Sequence, residues 1–205
     1  MAYSDFTLAK VKQQLGVTVN EAQHLFTHVK PVQPSEFLTL TLREYLPLAT
    51  AINTEKARSE LLIAPVLTEI RRQLKNQMSF FSGTEFNVDS DRGLQGFCDY
   101  ILSRSTEQFD ITAPVLTIVE AKNESIKGGL GQCIASMLAA QTFNQNAGND
   151  DIDMIYGAVT SGTNWRFLTL SGSLVYIDSN EYFINEVDKI LGILLQPFQS
   201  ALAVL

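Results

Sequence analysis

The sequence predicts a single α/β domain, and three observations carry that expectation. A long amphipathic helix pattern precedes a block of short apolar segments. One of those segments, 115–121, is apolar on both faces, as expected for a central strand covered on each side. A second helix pattern, rich in Ala, Gln, Met and Leu, then separates it from further strand-like runs. Helix, three strands, helix, strand is the order of an α/β sandwich. With 205 residues, 45% hydrophobic and 18% charged, the chain can bury one substantial core and leaves little that reads as disordered.

The first fifty residues read as helical and accessory. Residues 7–15 form a short amphipathic stretch that Gly16 stops, and 21–26 read as another turn or two of helix. Pro31 and Pro34 remove donors and restrict the residues before them, so 29–34 cannot continue a helix. Ser35 is placed to cap a helix over 36–46. A longer helix runs from 54 to 76, capped by Asn53 or Thr54. Its apolar positions Ile63, Leu67, Ile70 and Leu74 recur at three- and four-residue spacing and define a buried stripe. One turn further back the stripe reaches Glu60, whereas Glu55 falls away from it. Pro65 lies inside this helix and is expected to kink it without ending it.

The period then changes. Residues 80–88, 94–103 and 115–121 read as strands, with a turn at 89–93. Gly128 and Gly129 open a helix over 130–143, followed by a polar loop over 144–153. Residues 154–159 are strand-like, and 165–170 with 174–177 form a hairpin around Ser171 and Gly172. The chain closes in an apolar-striped helix over 181–201, which would seal the core or form a homodimer interface.

Composition excludes several classes. No stretch approaches a membrane span and the N-terminus lacks a basic-then-apolar leader, which points to a cytoplasmic protein with no membrane partner. Cys98 and Cys133 sit in apolar runs with no pairing pattern and read as reduced core thiols. His24 and His28 are four apart with no third ligand nearby, which argues against zinc. The net charge of −7 argues against strong non-specific nucleic-acid binding, although a bound cation would reverse the sign locally.

The most informative motif is Glu120-Ala121-Lys122, which closes the 115–121 run. Residues two apart share a strand face, so a carboxylate and an ammonium end up on the same side together with Leu116 and Ile118. With 22 acidic residues and eight lysines in 205 positions, roughly one acid-x-Lys triplet is expected by chance, so context must carry the motif. The preceding strand supplies it: Asp99 is again one carboxylate in an apolar run, and hairpin-like pairing would bring it near Glu120. Crowded negative charge of this kind needs a cation or Lys122 to compensate it.

An Asp on one strand, a second apolar strand ending in Glu-x-Lys about twenty residues later, and then a helix resembles the PD-(D/E)XK nuclease superfamily. The resemblance covers roughly residues 53–178. It implies a restriction-endonuclease-like mixed sheet flanked by helices, with a helical N-terminal extension over 1–52 and a C-terminal helix over 179–205. Glu60 matches a further acidic position on the preceding helix, and Gln132 matches a glutamine on the helix that follows. The resemblance implies an Mg²⁺-dependent (or Mn²⁺-dependent) nuclease acting on DNA, in restriction or repair. Asp99, Glu120, the Ala121 carbonyl and Glu60 would hold the metal, Lys122 would position the nucleophile or stabilise the transition state, and Gln132 would contact substrate or water. The pattern is not complete: Cys98 stands where a proline usually precedes the Asp, and Ser136 where a Tyr follows the Gln in many exonuclease members. The competing reading is a catalytically inactive nuclease-like module for protein interaction or regulation. Trp165 and Arg166 read either as core or as a stacking and phosphate contact.

Overall fold

The computed structural model of the chain describes residues 1–199. Thr7 accepts from the Lys10 N–H and starts α1 (Leu8–Gln14), and Gly16, at φ +70°, turns the chain out of it. The next segment departs from expectation. Where 21–26 read as helical turns, Thr18–Gln23 is strand β1. Its side chains are mostly exposed, so no apolar period marks it, and its partner strand alone defines it.

Ser35 caps α2 (Glu36–Ile52) through the Leu38 N–H. This helix passes beyond residue 46, runs through Pro47, and ends on Asn53 in the left-handed region at φ 54°. The cap is itself held from below. The buried Glu69 carboxylate accepts from the Ser35 N–H (2.9 Å), the Ser35 hydroxyl (2.8 Å) and Gln73 Nε2 (2.9 Å), with Arg72 at 3.4 Å. The helix expected over 54–76 is built in three pieces: α3 (Glu55–Arg58) capped by Thr54, a π-turn over Ser59–Ile63, and α4 (Ala64–Gln73). Pro65 opens α4, and the wide turn before it takes up the missing N–H and the ring's steric demand without a break.

The strands are β2 (Ser79–Glu85), β3 (Phe97–Ser103), β4 (Val115–Ala121), β5 (Ile155–Thr160), β6 (Asn164–Ser171), β7 (Leu174–Asp178) and β8 (Tyr182–Phe183). Helix α5 (Ile126–Asn146), capped by Ser125, lies between β4 and β5. The strands form one open, mixed, eight-stranded sheet in the order β1-β7-β6-β5-β4-β3-β2, with β8 added to β6. The β1–β7 and β4–β5 pairs are parallel and the others antiparallel. The ladder shifts register between Leu102 and Ser103, so Leu116 bulges out of pairing. That is why Leu116 packs with the opposite core layer and not on the face of Ile118, where alternation had placed it.

Two cores cover the sheet. One, with Ile63, Leu67, Ile70 and Leu74, lies beneath α2, α4 and α6 (Val187–Leu195); the other lies beneath α1 and α5 and includes both free cysteines. The long terminal helix is corrected. Tyr182 pairs with Trp165 and donates to Asp178 Oδ2 at 2.9 Å, so β8 and a 3-10 turn (Ile184–Glu186) replace its first turns. Helix α6 begins at Val187 with residues 190–195 buried, which leaves that face unavailable to a second copy; residues 200–205 lie outside the described residues. Among the described residues no helix is long and apolar enough to cross a membrane.

Helix α5 approaches the N-terminal segment so closely that a Cβ on Gly131 would stand 2.4 Å from the Phe6 carbonyl oxygen. Backbone cannot yield there as a flexible side chain would. Gly131→Ala is therefore expected to destabilise by roughly 1–3 kcal/mol, even though alanine is worth about 1 kcal/mol more than glycine in a helix interior. Urea unfolding measures it, and a variant as stable as the parent would contradict this close approach.

Candidate functional site

β3 and β4 pair antiparallel, with Tyr100 opposite Val119, and the ladder therefore carries Asp99 to the end of β4. There Asp99 Oδ2 accepts the Ala121 N–H at 2.8 Å. The expected approach of the two strands' carboxylates occurs: Asp99 lies close enough to Glu120 to raise its pKa both by charge and by hydrogen bonding.

Beyond Asp99 the sheet divides the expected residues. Glu120 and Lys122 project to the α5 side. Glu120 has no exposed surface, and its Oε1 accepts from Lys122 Nζ at 2.7 Å. Lys122 Nζ also reaches Gln132 Oε1 on α5, at 3.4 Å. Gly129 makes room for this lysine, since a Cβ there would sit 3.0 Å from Lys122 Cγ and 2.7 Å from Val159 Cγ1. The second oxygen, Glu120 Oε2, is buried without a hydrogen-bond partner. An unpaired carboxylate oxygen in this position is costly. Burial, reinforced by Asp99 and only partly offset by Lys122, pushes the Glu120 carboxyl up to about 9. Burial opposes the charge on Lys122, but Glu120 and Asp99 outweigh it and the ammonium is held above its ordinary value.

Ala121 turns to the other side of the sheet. With Asp99 it lines a cleft of about 300 Å³ whose far wall is Glu55, Ser59 and Glu60. Glu60 does not lie on the inward stripe: its side chain is 63% exposed and pairs loosely with Lys56 at 3.8 Å. The π-turn is the reason, because Glu60 lies within it and the wider turn rotates Glu60 and the residues before it against the stripe of α4. The same rotation admits Glu55, which straight helical periodicity had set aside, and Glu55 also helps hold Lys122 charged. Pro65 was the available signal, since a proline inside a helix marks where the turn must widen. Tyr100 closes the floor by donating to the Ser59 carbonyl at 2.9 Å.

Trp165 and Arg166 belong to the scaffold. Trp165 is fully buried and donates to the Gly162 carbonyl at 3.3 Å; Arg166 donates to the Asp178 and Ser179 carbonyls and to Glu181. His24 hydrogen-bonds Ser179. Cys98 is pushed up to about 12 by burial first and by Glu120 and Asp99 after it, which leaves it inert.

A hard divalent cation takes oxygen ligands, often only one or two carboxylates with carbonyls and waters. Asp99, the orphaned Glu120 oxygen and the Ala121 carbonyl suit that demand in kind. Among the described residues no group of three or more His, Cys, Asp or Glu side chains converges as a cage. Comparison of the chain with family models, curated proteins and solved structures finds no match.

The folded chain holds the Glu120 proton more tightly than the unfolded chain does. The associated stability is therefore complete below about pH 4.5 and declines as pH rises toward 9. Glu120→Gln is expected to flatten that decline and to gain on the order of 1–3 kcal/mol at pH 8. Denaturant midpoints at several pH values between these limits test it; a parent that gains stability over the window would contradict the assignment.

Proposed function

We propose that this chain is a divalent-metal-dependent nuclease hydrolysing phosphodiester bonds in DNA, of the PD-(D/E)XK, restriction-endonuclease-like kind. One observation carries the reading: Asp99 and the Glu120-Ala121-Lys122 triplet meet at the end of two adjacent antiparallel strands, with one Glu120 oxygen buried and unpartnered. The open mixed sheet with helices on both faces is consistent with that fold.

The residues divide the work. Asp99, Glu120 and the Ala121 carbonyl would hold Mg²⁺ or Mn²⁺, with water completing the shell. The ion would make bound water more acidic and offset charge on the phosphoryl oxygens. Lys122, already charged and positioned by Glu120 and Gln132, would turn its ammonium toward the charge that develops on the phosphate. Glu55 and Glu60 stand across the cleft, where either could orient water or accept its proton. The acidic lining repels phosphate in the absence of a cation, so activity depends on one.

The absence of a three-carboxylate cage among the described residues, together with the net charge of −7, favours a second reading: a nuclease-like module that binds or regulates another protein without cleaving DNA. Incubation with plasmid and linear DNA under Mg²⁺, Mn²⁺ or EDTA separates the two. Cleavage is expected with either metal and none with EDTA. Asp99→Ala and Glu120→Ala should abolish it with the fold intact, and Lys122→Ala should lower the rate by about 10²-fold or more. A wild-type protein that binds no divalent cation by calorimetry and leaves both DNAs uncut would overturn the nuclease reading.

The helix carboxylates give a separate test. Their shared wall predicts that Glu55→Gln slows cleavage at least as much as Glu60→Gln does, because only Glu55 also acts on Lys122. Rates of the two single variants decide it, and a loss confined to Glu60→Gln would remove Glu55 from the site.

A further inference from the structure

Helix α2 is apolar beyond its buried face. Leu38, Leu42 and Ala49 are buried against the core, as one face of a surface helix should be. On the flank beside that face Phe37, Leu40, Tyr45, Leu48 and Ile52 remain 38% to 60% exposed. Half of the exposed large apolar side chains among the described residues therefore lie on this one helix. Scattered singly they would need no explanation, but aligned along about 25 Å of helix they form one surface.

We propose that this stripe is a homodimer interface, in which the α2 helices of two copies of the chain pack antiparallel about a two-fold axis. Area and chemistry argue for a second copy over other occupants. At roughly 200 Å² for a fully exposed large side chain, the stripe offers about 450 Å² per copy. A symmetric pair then buries about 900 Å², close to the lower limit for a specific interface, and the exposed Pro47 and Ala51 beside it add more. The stripe contains no Lys or Arg, which anionic lipid or a nucleic-acid backbone would require. Of the cations at its margin, Arg72 lies over the Phe37 ring at 4.6 Å and beside Glu69, and Arg43 is exposed on α2 beside Leu40 and Pro47.

A two-fold interface must be complementary to itself. With the axis between residues 44 and 45, Phe37 meets Ile52 of the other copy and Thr41 meets Leu48. Glu44, the stripe's one charge, then meets the Tyr45 hydroxyl and not a second Glu44. The surface is distinct from the Asp99–Glu120 site, so either proposal can fail without the other.

Sedimentation velocity at roughly 50 μM, above the micromolar range of weak specific interfaces, should give twice the 22.7 kDa of the chain. Leu48→Glu should halve that mass while leaving the circular dichroism spectrum unchanged, since Leu48 takes no part in the core. Tyr45→Cys, near the axis, should form a covalent dimer under mild oxidation; the native Cys98 and Cys133 are buried and do not compete. A monomeric parent, or a dimer that persists in Leu48→Glu and gives no Tyr45→Cys cross-link, would overturn the interface.

Discussion

Glu120 is a carboxylate with no exposed surface at the end of the central strand, and much of the surrounding structure answers to it. Burying such a group costs several kcal/mol unless a counter-charge and hydrogen bonds accompany it. Lys122 supplies the counter-charge for one oxygen, two residues along the same strand. Gln132 steadies that lysine from α5, and Gly129 leaves the helix surface low enough for its stem to pass. No donor reaches the second oxygen, and Asp99 beside it raises the Glu120 pKa by charge and by hydrogen bonding, so the carboxyl holds its proton. A carboxyl displaced this far by burial and a neighbouring carboxylate is a candidate functional group.

The scaffold holds this arrangement by ordinary means. β4 pairs with β5 over 117–121 and with β3 at Val115 and over 117–119, with apolar cores on both faces, so its end is held in place. The buried Asn144 side chain clamps the other end of the strand, exchanging hydrogen bonds of 2.8 Å with the Val115 N–H and carbonyl. On the cleft side, Arg58 ties the end of α3 to the Ser161 carbonyl and the Thr163 hydroxyl at 3.1 Å each. The π-turn that brings Glu55 and Glu60 to the cleft is thereby anchored at its base.

Local chemistry made much of this readable. The Ser35 and Thr54 caps, the buried stripe of α4 and the two-faced apolar run of β4 are short-range features, and each occurs where its residues place it. The convergence of Asp99 with Glu120 was equally legible, because strands consecutive in sequence tend to be neighbours in the sheet. Glu60 was misplaced for the opposite reason. Extending a stripe assumes a constant 3.6-residue turn, and one π-turn breaks that assumption without changing composition.

Residue type and spacing determined which side chains could act together: an aspartate on one strand, a glutamate and a lysine sharing the face of the next, and a glutamine one helix later. Tertiary structure alone decided their states. The added edge strand β1 and the short pairing of β8 depend on partners far away in the chain, so no local pattern announces them. The same holds for the orphaned Glu120 oxygen, for the Glu120 pKa that burial and Asp99 raise, and for the exposed flank of α2. Each depends on what the rest of the chain covers or leaves open, and burial is a property of the whole fold.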